Sequence, residues 1–150
     1  MLRFFLILII ISSVQCNTET KLPGGDPGNG GFFLPEHFEA VVVADSTGPA
    51  RHLAVNDNGD IYVKLRNSEK GAGGNLVLRD TNNDGKADSI VRFGDYFNEG
   101  SLSNCMRIHE GYLYFASELV VYRMKLTPGK LVPESKIETV FTEEDSLGSH

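Results

Sequence analysis

The feature that most restricts this chain is an internal repeat. LAVNDNGDIYVKL, starting at Leu53, and MRIHEGYLYFAS, starting at Met106, each run as a strand, a tight glycine turn and an apolar-Tyr-apolar strand. The pairs Gly59/Gly111 and Tyr62/Tyr114 are both 52 residues apart. Elsewhere short runs alternate apolar and polar residues between clusters of Gly, Asn, Asp and Pro, which is the pattern of half-buried strands, and no segment shows a helical period. Strands are expected at Phe38 to Ala44, His52 to Asn56, Ile61 to Leu65, Leu76 to Arg79, Ser89 to Phe93, Met106 to His109, Tyr112 to Ala116, Leu119 to Leu126 and Ile137 to Thr142.

A period near 50 residues carrying four short strands is that of a β-propeller blade. Counted from His52, the strands sort into two sets of four, and Phe38 to Ala44 stands ahead of them where a ring-closing strand belongs. The expected fold is all-β, two four-stranded blades plus an N-terminal closing strand. The alternative is a sandwich holding two unrelated hairpins, because all-β domains space their turns every ~8–12 residues. Two blades cannot close a ring, and a blade buries its faces only against its neighbours. The chain is therefore expected to be the front part of a longer protein, with His150, 98 residues after His52, at the opening of a third blade.

At 150 residues the chain holds one domain, and nine Phe and five Tyr supply a core. Its net charge of -6 excludes an electrostatic footing for nucleic acid or for an anionic membrane surface. With two cysteines, Cys16 and Cys105, neither a disulfide scaffold nor a Cys-based zinc site can be built.

Residues 1–16 read as an export signal: Arg3, an apolar run from Phe4 to Ile11, then small and polar residues up to Cys16. The run is less than half of the roughly 20 residues that a membrane-crossing helix needs. Cys16 is placed as a lipidation site, although Ser13 and Gln15 differ from the usual flanks, and ordinary cleavage after Cys16 with Val14 at minus three is the alternative. Either route predicts an exported protein, periplasmic or extracellular, touching a membrane only through a lipid. Cys105 is then left without an intrachain partner and is expected to be a buried thiol. Residues 17–31, with five glycines and two prolines, read as a flexible linker that buries nothing. The folded domain is expected over 32–150.

The segment DTNNDGKAD places side-chain oxygens at Asp80, Asn82, Asp84 and Asp88, with Gly85 at the sixth position and the Lys86 carbonyl at the seventh. Alternating positions on a sharply turned loop converge oxygens on one point, the arrangement that holds calcium. Val91 stands at the twelfth position, where a helix-loop-helix calcium site has its bidentate Glu, so a strand-flanked loop with a structural ion is expected. The alternative is a solvated Asn/Asp/Gly hairpin built on Asx-turns.

Of the four histidines, none lies in an HExxH, GxSxG, P-loop or GxGxxG context. His37 and His109 read as inert, while His52 and His150 lie where an innermost blade strand would begin, at the mouth of a propeller's central funnel.

Taken together, LPEHFEAVVVAD, RHLAVNDNGDIYVKLR, DTNNDGKAD, RIHEGYLYFASELVVYRMKL and LVPESKIETVF resemble the opening blades of the glucose/sorbosone dehydrogenase family. The resemblance covers roughly Phe33 to His150 and implies a six-bladed propeller that binds pyrroloquinoline quinone and calcium. It implies oxidation of a sugar or other alcohol, with His150 as the catalytic base and a cytochrome c as a candidate electron acceptor. Soluble glucose-oxidising members place Asp before that histidine, whereas Ser149 stands here. The resemblance also implies that the residues holding the quinone come largely from later blades, so that this piece is inactive alone. A different class of function fits the same features: a non-catalytic, calcium-stabilised propeller that binds protein or glycan.

Overall fold

The computed structural model describes residues 22–69, 73–95, 105–117 and 119–142. Eight strands form: β1 (Ala50–Val55), β2 (Ile61–Glu69), β3 (Gly73–Arg79), β4 (Ser89–Phe93), β5 (Met106–His109), β6 (Tyr112–Ala116), β7 (Val120–Lys125) and β8 (Glu138–Thr142). They make two four-stranded antiparallel meanders, β1-β2-β3-β4 and β5-β6-β7-β8. The protein is all-β, and the expected division into two sets of four holds. Among the described residues the sheets do not close into a barrel or ring.

Both repeated glycines turn hairpins for the same local reason. Gly59 has φ 89° and Gly111 φ 75°, in the left-handed region where a Cβ is unfavourable. The second turn is the tighter one, with Glu110 (φ 46°) and Gly111 as a two-residue loop closed by the His109–Tyr112 pair. The first needs Asn56 to Asp60, and Asn56 N–H donates to the Asp60 carbonyl at 2.9 Å.

Alternation gives each sheet two faces. In the first sheet Ala54, Tyr62, Val77 and Phe93 point one way, and Leu53, Val55, Ile61, Val63, Leu76 and Leu78 the other. In the second, Met106, Ile108, Leu113, Phe115, Tyr122 and Met124 share one face, and Arg107, His109, Tyr112, Tyr114, Arg123 and Lys125 the other. The main core joins the Tyr62 face of the first sheet to the Phe115 face of the second. The Tyr62 hydroxyl crosses the interface to donate to the Leu131 carbonyl at 3.2 Å. Between the sheets, the backbones approach most closely at β1 and β5.

The repeat makes Ile61 and Val63 equivalent to Leu113 and Phe115, and Tyr62 equivalent to Tyr114. Unlike faces therefore meet. The contact is head to tail, and the first sheet's own apolar face remains on the outside. Val43 and Ala44 cross that face and pack on the cluster of Val63, Leu65, Leu76 and Leu78, but Leu53 and Val55 stay 63% and 58% exposed.

Two expectations are corrected. Phe38 to Ala44 joins no sheet. Two of its alternate amides go to side chains, Ala40 N–H to Asn29 Oδ1 (3.2 Å) and Val42 N–H to Asp26 Oδ2 (2.8 Å), and Phe38 N–H turns back to the Pro35 carbonyl (3.1 Å), in place of a ladder to a strand. Besides the packing of Val43 and Ala44, it is tied to the sheet region by Ala87 N–H, which donates to the Val43 carbonyl at 2.8 Å. Cys105 is exposed, not buried, because the next residue, Met106, takes the inward position at the start of β5. Of residues 17–31, Leu22 to Gly31 are described and none is buried. They nevertheless find partners: Gly25 N–H donates to Glu39 Oε2 and Asp26 N–H to the Ala40 carbonyl, both at 2.8 Å.

Candidate functional site

The acidic loop connects β3 to β4 and is wound around the carboxylate of its first residue. Asp80 Oδ1 accepts from the amides of Asn82 (3.1 Å) and Asn83 (2.7 Å), and Oδ2 accepts from Gly85 N–H at 2.8 Å. Asp84 Oδ1 accepts from Lys86 N–H (2.8 Å), and Asp88 Oδ2 accepts from the amide and hydroxyl of Thr81, both at 2.6 Å. The Thr81 hydroxyl and amide hold the Asp88 carboxyl below the usual carboxylate range. Asn83 and Gly85, at φ 60° and 87°, supply the sharp turns.

The donor set of Asp80, Asn82, Asp84, the Lys86 carbonyl and Asp88 is made of hard oxygens, which suits calcium. Among the described residues no group of three or more His, Cys, Asp or Glu stands in ligating geometry, and the carboxylates of the loop are turned onto its amides. The chemistry of the donors fits the ion, and closing around one would require exchanging some of those amide bonds.

The Lys86 side chain leaves the loop. Its Nζ pairs with Asp26 Oδ1 at 2.7 Å, and this hydrogen bond, with Val42 N–H, lowers the Asp26 pKa while raising that of Lys86. A Cβ on Gly85 would stand 2.8 Å from Pro23 and 3.1 Å from Val41. The loop is thus the dock of the N-terminal segment, a role that its composition does not reveal because the contacts span about 60 residues of sequence.

At the base of the loop Asp60, 1% exposed, accepts from Arg79 Nε and Nη2, both at 2.6 Å, and from Asn58 Nδ2 at 2.9 Å. Burial works to raise the Asp60 pKa, but the Arg79 and Asn58 hydrogen bonds outweigh it and hold the carboxyl below its usual range. Burial and the Asp60 charge push the neighbouring Tyr62 phenol up to about 12, so it remains a donor to Leu131.

The loop lies at one end of the first sheet and His52 at the other. His52 pairs with Lys64, which pairs with Asn75, so a polar row crosses the sheet at the end where β1 begins. His52 is exposed, whereas Lys64 and Asn75 are completely buried, and Lys64 Nζ donates to the carbonyls of Leu65 (3.1 Å) and Gly74 (3.3 Å). Sequence reading passed over Lys64, yet its signal was there: in IYVKL it shares the parity of the core residue Tyr62.

His37 and His109 are exposed, each 3.7 Å from a neighbouring glutamate. The expected export signal, the Cys16 lipidation site, Ser149 and the expected base His150 lie outside the described residues. No described helix is long and apolar enough to cross a membrane.

A quinone bearing several carboxylates asks for converging cations. Arg79 is held by Asp60, Arg123 by Glu138 (2.9 Å), Lys86 by Asp26 and Lys136 by Glu138 (3.0 Å).

Comparison with protein-family models, with curated proteins and with solved structures finds no match to this chain.

Proposed function

We propose that the two sheets are consecutive blades of a β-propeller, and that the chain is the N-terminal part of an exported quinoprotein oxidising a sugar or other alcohol. The observation that carries the propeller reading is the head-to-tail contact. The Tyr62 face receives the Phe115 face while the equivalents of both, the Tyr114 face and the Leu53–Val55 face, are left outside. An interface of this kind repeats by rotation and makes a ring when the rotation closes. A sandwich would instead seal its two equivalent apolar faces together. The close approach of β1 and β5 agrees, because first strands crowd together at a propeller's axis.

The dehydrogenase reading adds the sequence resemblance. A quinone in such a protein accepts the hydride from the alcohol carbon. Imidazole is the side chain suited to accept a proton near neutral pH; His150 would take the hydroxyl proton, and a cytochrome c is the proposed electron acceptor. The test is to follow the transcript past His150, reconstitute the encoded product with pyrroloquinoline quinone and calcium, and measure dye reduction with aldoses and other alcohols. Reduction that disappears in His150→Ala supports the reading. A folded product that is inactive across the panel overturns it in favour of the second one, a non-catalytic propeller binding protein or glycan. The paired turns that form a cleft of mixed polar and apolar lining between the sheets favour that second reading.

Calcium in the Asp80–Asp88 loop is proposed as a structural ion, since the loop stands at the far end of the sheet from His52. Calcium at saturation is expected to raise the melting temperature by roughly 5 °C or more. Asp84→Ala is expected to abolish the gain. Identical melting curves in calcium and in chelator would remove the ion from the proposal.

A further inference from the structure

The loop that opens the described chain is built inside out. Its polar side chains are spent on its own backbone: Glu39 accepts from Gly25 N–H and Asp26 from Val42 N–H, both at 2.8 Å, and Asn29 accepts from Ala40 N–H at 3.2 Å. Its aromatic rings are left in solvent. Phe32, Phe33 and Phe38 are exposed, Phe33 completely at 105%, and Leu22 and Leu34 are exposed with them. Three of the nine phenylalanines thus fall within seven residues that bury none of them. The backbone beneath them is held, because Phe32 N–H donates to the Asn29 carbonyl (3.2 Å) and the Asp26–Lys86 pair (2.7 Å) fastens the loop to the β3–β4 connection. Single apolar residues on a surface are ordinary, but a group of them carried outward on a hydrogen-bonded loop marks a contact with something apolar.

Position in the chain and charge select the occupant. Leu22 follows Cys16 by six residues, at most about 20 Å of extended chain, so a membrane that receives the apolar run Phe4 to Ile11 or an acyl group on Cys16 has the loop within reach. A tether of that length gives the loop a high effective concentration at the bilayer, and a weak partition then suffices. Residues 22–38 contain Asp26 and Glu36 but neither Lys nor Arg, so attraction to anionic headgroups is not what would hold them. Burial of apolar side chains at the boundary between headgroups and acyl chains is the remaining means.

We infer that the loop carrying Phe32, Phe33 and Phe38 inserts into the interface of a zwitterionic phospholipid bilayer, so that the domain lies against the membrane through its own side chains as well as through any lipid. The inference rests on the reading of the N-terminus as an export signal ending at Cys16. The mass of the chain at residue 16 reports the anchor and insertion at Phe33 reports the loop, so the two fail separately.

The chain has no tryptophan, so Phe33→Trp places a single fluorescent reporter in the loop. Phe141→Trp is the control: Phe141 is exposed on β8 and pairs with Val121 on the outer face of the second sheet, across the stack from the face on which Val43 and Ala44 pack. Each full-length variant is mixed with phosphatidylcholine vesicles, with and without brominated acyl chains. Brominated lipid is expected to quench the reporter at position 33 and to leave the one at position 141 unquenched. In the Cys16→Ser chain, which carries no acyl group, Phe33→Ser is expected to weaken partition about ten-fold, the burial of most of one phenyl ring, and high salt is expected to leave partition unchanged. Phe33 is fully exposed, so the variant keeps the core intact. An unquenched loop reporter, equal quenching at both positions, or a Phe33→Ser chain that partitions like its parent would each overturn the inference. So would a loop reporter whose emission is already blue-shifted before vesicles are added, because protein, from a second copy or from a later part of a longer chain, would then be what covers the loop.

Discussion

Replacing Asp60 by alanine is expected to destabilise the protein by about 1.5–3 kcal/mol, because it removes a bidentate charge-assisted partner from Arg79, whose guanidinium, 27% exposed, water resolvates in part. Both Asp60 oxygens accept from Arg79 at 2.6 Å, and the carboxylate is 1% exposed. The pair ties the start of β2 to the end of β3 and so fixes the strand from which the acidic loop departs. Urea unfolding at neutral pH measures the loss, and a change below about 1 kcal/mol would place the pair with ordinary surface bridges. The pH dependence has a definite sign. The folded-state pKa of Asp60 is lowered, so its stabilisation is complete above the unfolded carboxylate pKa and is lost as pH falls through the folded value. Asp60→Ala is expected to flatten that part of the acid limb.

Phe115→Ala is expected to cost more, about 3–5 kcal/mol, for a different reason: the ring is completely buried and its removal leaves a cavity. Phe115 pairs with Met106 and Tyr122 on its own sheet, with the Tyr122 ring 5.6 Å away, and belongs to the core shared with Tyr62, Val77 and Phe93. Amide hydrogen exchange separates two outcomes. If the head-to-tail interface is the main source of stability, protection falls in both sheets together, as in an array whose units lean on their neighbours. Loss confined to β5–β8 would show that the first sheet stands by itself under its N-terminal strap.

The strap shows where reading from sequence failed. Phe38 to Ala44 has the alternation of a strand, and alternation reports that one side will be covered, not that the backbone will find a ladder. The partners that decided the matter, Asp26 and Asn29, sit in a Gly/Pro-rich stretch whose composition predicts only that nothing there is buried. Lys64 failed in the opposite direction. Its residue type predicts exposure, but strand parity set it beside Tyr62, and the carbonyls of Leu65 and Gly74 receive its ammonium. Cys105 depended on which of two adjacent residues faced inward. The acidic loop was legible as a unit, turns included, because an Asp carboxylate collecting the amides of the next few residues is a local event.

By itself, the amino-acid order determined the eight strands, their division into two fours and the glycine turns, since pleat alternation and positive φ are properties of neighbouring residues. Only the tertiary structure decided that unlike faces of the repeat meet, that the N-terminal segment lies across the first sheet and docks on Lys86, and that the turns frame a cleft. Those outcomes depend on side chains far apart in the chain competing for the same surface, and no local pattern records which of them prevails.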